Sequence, residues 1–119
     1  MLRSLLVCAM GVVLAFGLRA QSTAFDGARS LVDRVQSDLK QASHTDRSGK
    51  NMERYENAQK HLSEFDRELA KGKFDKDKLD DAINDVKNVV EHNTLTPGDR
   101  DALTRDLEDL RAMRARRGV

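Results

Sequence analysis

The stretch Tyr55-Glu56-Asn57-Ala58-Gln59-Lys60-His61-Leu62-Ser63-Glu64-Phe65-Asp66-Arg67-Glu68-Leu69 decides the fold. Its apolar members, Tyr55, Ala58, Leu62, Phe65 and Leu69, are spaced 3, 4, 3 and 4 residues apart, and everything between them is polar. A half-buried strand would alternate with a period of two. This period instead gathers all five on one stripe of a helix, with the seam spacing that lets one helix lie along another.

Working outward, Met52 extends the stripe toward the N-terminus. Gly72 follows Leu69-Ala70-Lys71, where a left-handed residue closes a helix and glycine has no Cβ to clash. The reading is a helix over about 50–71. Asp75 is placed to cap the next helix, with Phe74 and Leu79 set to close as a hydrophobic staple. The stripe Leu79, Ala82, Ile83, Val86, Val89 and Val90 then predicts a helix over about 76–92, ended by Asn93. Thr96-Pro97-Gly98-Asp99 supplies an N-cap, a first-turn proline and an acidic third position, opening a helix over about 97–116 that carries Leu103, Leu107, Leu110 and Met113. Upstream, Ala28, Leu31, Val32, Val35, Leu39 and Ala42 predict a helix over about 26–43. The polar run 43–49 predicts an exposed connection.

Four amphipathic helices, one proline and only five aromatic residues leave little room for strands. The expected class is all-α, a small antiparallel bundle of three to four helices forming a single domain over residues 21–119. Short connections favour an up-down-up-down order. The alternative is a three-helix core over 50–116 with the first helix packed loosely.

Ahead of that domain, Arg3 precedes an apolar run from Leu5 to Leu18, and Ala20 precedes the polar Gln21-Ser22-Thr23. The run has 14 residues, short of the about 20 that cross a bilayer core. Residues 1–20 therefore read as a secretory signal peptide, and the expected location is periplasmic or secreted. The single cysteine, Cys8, lies inside that run, so the chain after it has no thiol and no disulfide to staple it.

The whole chain has 21 Lys+Arg and 20 Asp+Glu. With Arg3 and Arg19 set aside, the remainder is close to neutral, which excludes a generic polyanion binder and an acidic solvating tail. Leu, Ile, Val and Phe make up 19 of the 99 residues after position 20, a thin supply for a core. A homodimer or a partner helix covering more of the stripes is one remedy for such a core.

Chemistry has little to stand on. His44, His61 and His92 are the only histidines, and none pairs with another at helical ligand spacing. His61 with Glu64 makes at most one metal edge, so His61 reads as a residue flanking the seam. Asp75-Lys76-Asp77-Lys78-Leu79-Asp80-Asp81 starts like a calcium loop but has Asp80 where glycine must turn and Val86 where a bidentate glutamate must sit. These acids read as a helix N-terminal turn complementing the dipole. No phosphate loop, serine elbow or cysteine nucleophile occurs after the leader. The expectation is no enzyme, no cofactor and no metal.

The C-terminal stripe turns basic. Beyond Leu103, Leu107 and Leu110 the same helical line runs into Arg114 and Arg117, with Arg111 and Arg116 to either side. Four arginines and no acid close the chain from Arg111 onward. They fit a weak contact with an anionic surface, or simply complement the C-terminal end of the helix dipole. The absence of aromatic residues there excludes base stacking, so no specific nucleic acid is expected.

Leu95-Thr96-Pro97-Gly98-Asp99 resembles the Leu-Thr-x-x-Gln helix opening of the small periplasmic stress-chaperone and metal-sensor family, over five residues and with Asp99 in place of glutamine. That resemblance implies an exported helical protein, as does the leader. The expected function is therefore non-enzymatic protein–protein contact in the cell envelope or periplasm, with an unknown protein partner or with a second copy. The expected contact residues are Tyr55, Leu62, Phe65 and Leu69 on the seam and Arg111, Arg114, Arg116 and Arg117 on the tail. The alternative is a soluble chaperone-like or ligand-binding module in the same compartment.

Overall fold

The computed structural model describes residues 25–46 and 48–117, and the expected signal peptide lies outside them. The described chain is four helices, α1 Asp26–Thr45, α2 Gly49–Ala70, α3 Lys76–His92 and α4 Pro97–Arg116, with no strand among the described residues.

Side-chain caps open α2, α3 and α4. Ser48 accepts a hydrogen bond from the Asn51 amide at 3.3 Å to open α2. At the other end of α2 the chain turns through Gly72 at φ 83°. There the Lys73 amide bonds the Glu68 carbonyl at 2.9 Å and the Gly72 amide bonds the Leu69 carbonyl at 2.9 Å. This pairing of amides with the last orphan carbonyls is the Schellman closure, and it needs the left-handed residue that glycine supplies. Asp75 caps α3 through the Lys78 amide, and Thr96 caps α4 through the Asp99 amide. Phe74 turns inward, edge-on to Phe65 with ring centroids 5.4 Å apart, and also lies beside Phe25 at 6.1 Å.

Each helix packs on its chain neighbours, and α1 closes the ring on α4. The side-chain pairs show that all four contacts are antiparallel. Arg29 meets Asp66 near the start of α1 and the end of α2, Gln36 meets Gln59 and Ser63 midway, and Asp46 meets Asn51 at the far end. His61 and Asn93 mark the same reversal between α2 and α3, Asp80 with Arg114 between α3 and α4, and Arg34 with Asp106 between α4 and α1. The architecture is an up-down-up-down four-helix bundle.

The first helix is a full member of this bundle, not a loose one. Ala28, Val32, Val35, Leu39 and Ala42 are all at most 3% exposed and belong to the same core as the stripes of α2, α3 and α4. The four stripes cover one another, so the thin core closes within one chain. The expected exposed connection also needs correction. α1 runs two residues past 43, and Asp46, just beyond its end, is 5% exposed because Asn51 and Tyr55 draw its carboxylate into the end of the bundle.

Candidate functional site

Burial decides which of the expected contact residues can touch a partner. Tyr55, Leu62, Phe65 and Leu69 are at most 1% exposed. The expectation that they present a surface is corrected: the 3-4 spacing that marked them as a seam is satisfied inside the core that the four helices of this chain form together. Each would have to leave the core to reach another molecule.

The four arginines separate. Arg114 lies back on the bundle as a fork on the Asp80 carboxylate of α3, with Nη2 at 3.1 Å from Oδ2 and Nε on Oδ1. Asp80 is accordingly held below the usual carboxylate range, chiefly by the hydrogen bond from Arg114 and then by its charge. Arg111, Arg116 and Arg117 are exposed. Arg117 adopts a left-handed turn at φ 57° just after α4. It faces the α2–α3 connection across a shallow recess lined by Lys73, Phe74, Asp75, Lys76 and Asp77. The end of α4 and the turn after α2 thus place basic residues from two parts of the chain at one end of the bundle.

His61 does not turn toward Glu64. Its Nδ1 pairs with Asp85 of α3, bridging the α2–α3 seam. No three metal-ligating side chains converge among the described residues. No helix among them is long and apolar enough to cross a membrane.

Two polar clusters lie beyond what sequence reasoning singles out. At the end of the bundle where α1 leads into α2, the Tyr55 hydroxyl donates to Asp46 Oδ2 at 2.9 Å and Asn51 Nδ2 donates to Asp46 Oδ1 at 2.6 Å. Asn93 Nδ2 donates to the Asn51 carbonyl at 3.1 Å, and Arg54 Nη1 bridges Asn51 Oδ1 and Asn93 Oδ1 at 2.9 and 3.1 Å. Burial pushes the Tyr55 phenol up to about 12, a hydrogen bond from Asn93 opposes this, and the Asp46 carboxylate adds to it. Both Asp46 oxygens and both Asn51 amide atoms find partners, and the network ties the ends of three helices together.

The second cluster lies between α1 and α4. Arg34 Nε donates to Asp106 Oδ1 at 3.0 Å, and Arg34 Nη2 donates to Asp109 Oδ2. Asp106 is 1% exposed and its Oδ2 has no donor. The carboxyl of Asp38 faces it, one helical turn beyond Arg34 on the same side of α1. Burial, and then Asp38, push the Asp106 carboxyl up to about 7 against the pull of Arg34. One signal of this cluster is present in the sequence. Asp106 occupies the apolar line of α4, three residues after Leu103 and four before Leu110.

Compared with family models, curated proteins and solved structures, the chain matches none.

Proposed function

We propose that this chain is an exported, non-enzymatic helical bundle that acts by contact with an acidic protein partner. The contact surface is the end of the molecule where α4 finishes beside the α2–α3 turn. Export rests on the apolar run Leu5–Leu18 behind Arg3. The observation that carries the contact reading is the position of Arg111 and Arg117. Both are exposed and neither has an ion pair among the described residues, while Arg114 between them is spent on Asp80. The bundle's apolar stripes are used up in its own core, so a partner meets charge here. A guanidinium offers a forked set of donors to carboxylates, which suits it to an acidic protein surface.

The test is chemical crosslinking in intact cells, comparing the natural chain with a variant carrying Arg111→Gln and Arg117→Gln. One reproducible acidic partner, lost in the variant, supports the reading. Self-crosslinks alone, or a partner retained in the variant, overturn it. Fractionation of the same cells tests export: full-length chain in the cytosol with residues 1–20 intact counts against it.

A further inference from the structure

The α1–α4 seam buries a carboxylate that lacks a donor on one oxygen. The ion-paired carboxylates of the other three seams keep water within reach, with Asp66 26% exposed beside Arg29, Asp85 19% exposed beside His61 and Asp80 45% exposed beside Arg114, and the buried Asp46 has a donor on each oxygen. The Asp106 side chain is 2% exposed. Two carboxyls of α4, Asp106 and Asp109, converge there on the Arg34 guanidinium, and the Asp38 carboxyl of α1 faces Asp106. From α3, the other helix packed on α4, no charge balances them. Its Asp85 is turned to His61 on α2, and Lys87 is exposed.

Were all three carboxyls ionised, the half-buried Asp38 would confront a charge sealed from water on Asp106, and Asp106 Oδ2 would stay without a donor. A single proton held between Asp38 and Asp106 cures both faults, removing one charge and supplying the missing hydrogen bond. We infer that Asp38 and Asp106 share a proton that latches α1 to α4, and that its loss as the pH rises loosens α1 from the bundle.

The sign follows from where the proton resides. Burial, and then the facing Asp38, push the Asp106 carboxyl up to about 7 in the folded chain, against about 3.9 for an aspartate in an unfolded one. Between these values the folded state keeps a proton the open state has lost. The latch is therefore fully favourable at the acid end of this window, weakens as the pH climbs through it, and reaches its lowest value above the folded pKa. Separating α1 from α4 relieves the repulsion locally, so opening of this seam should carry the pH dependence.

Hydrogen–deuterium exchange of the full chain tests this at about pH 5.5 and about pH 8.5, with protection factors corrected for intrinsic exchange rates. Between these conditions, protection of the α1 amides around Val32, Val35 and Leu39 should fall about 30-fold. Asp106→Asn, which keeps a permanent donor facing Asp38, should abolish that fall. A pH dependence that persists unchanged in Asp106→Asn belongs to other groups and overturns the inference. So does α1 protection that stays level in the natural chain. Carboxyl carbon NMR of the unsubstituted protein tests the same point without relying on any variant's folding: a midpoint for Asp106 near 7 supports the latch, and one in the ordinary carboxylate range refutes it.

Discussion

Replacing Tyr55 by phenylalanine would take one oxygen from the satisfied polar end of the bundle while leaving the ring's packing in place. Tyr55 is 1% exposed, and its hydroxyl is the donor to Asp46 Oδ2 at 2.9 Å. Asp46 is itself only 5% exposed, and Asn51 serves its other oxygen. With phenylalanine, Oδ2 faces the ring edge with little access to replacement water. Hydrogen bonds to charged groups contribute about 1.5 to 3 kcal/mol, and the orphaned partner keeps its desolvation cost. The expected loss is about 2 kcal/mol, read as a lower urea midpoint at unchanged m value. For a domain of this size that corresponds to a fall in Tm of roughly 10 °C. Adding Asp46→Asn to the same chain removes the charge that needed the hydroxyl, so the double variant should lose at least about 1 kcal/mol less than the two single losses added together. A cost of under about 0.5 kcal/mol for Tyr55→Phe, or two losses that simply add, would refute this role for the hydroxyl. The unsubstituted protein offers a further check, because tyrosinate absorbance should rise near pH 12 or abruptly at alkaline unfolding, and not smoothly around the ordinary value of about 10.

Three other outcomes are expected. Leu62→Ala, at a fully buried position in the middle of α2, should cost about 3 to 5 kcal/mol in denaturant unfolding through lost transfer energy and a residual cavity. Gly72→Ala should cost about 1 to 2 kcal/mol, since nothing lies within 4 Å of the added Cβ and the penalty is the left-handed backbone alone; Gly72→Asn should cost less, and equal costs would contradict this. Arg111→Gln with Arg117→Gln should shift thermal stability by less than about 0.5 kcal/mol, because both side chains are exposed and unpaired among the described residues. A larger loss would mean that these arginines hold the fold and not a partner.

Periodicity makes the helices legible because each stripe is a local pattern. Val35 and Leu39 read as buried whether or not the rest of the chain is known, and the Thr96 and Asp75 caps act within three residues of themselves. What lies between helices is not legible in the same way. The seam of α2 reads as a surface needing cover, but a stripe carries no address: the 3-4 spacing of Tyr55, Leu62, Phe65 and Leu69 is the same whether the covering helix is internal or foreign. Short connections are the only clue, and they favour an internal partner. Arg114 shows the same limit from the electrostatic side. It belongs to a run of basic residues in the sequence, yet the antiparallel register of α3 brings Asp80 to it from 34 positions away. Asp106 is visible as an acid on an apolar line. Its meaning depends on Asp38 arriving from the first helix.

The two polar clusters do opposite things with the same kinds of side chain. At the Asp46 end, amides and a phenol are grouped around one carboxylate, so each acceptor finds a donor at any pH at which Tyr55 stays protonated. Such a network fixes register without responding to ordinary changes of pH. Between α1 and α4, three carboxyls are grouped with one cation and one of them is sealed from water with an oxygen that no donor reaches. A cluster of that composition cannot be satisfied in every protonation state, so its contribution must change with pH. If the four stripes of the core supply most of the stability, the bundle survives that change and only the seam gives way. Asp106→Leu separates the two roles. It removes the titrating group and extends the apolar line from Leu103 to Leu110, so the bundle should become more stable and its α1 protection independent of pH. Its effect on stability should grow with pH across the window in which the natural chain loses its proton, since a buried carboxyl without a full complement of donors is then being replaced by a side chain that needs none. A stability gain that is the same at both ends of that window would place the cost of Asp106 in packing and not in its proton.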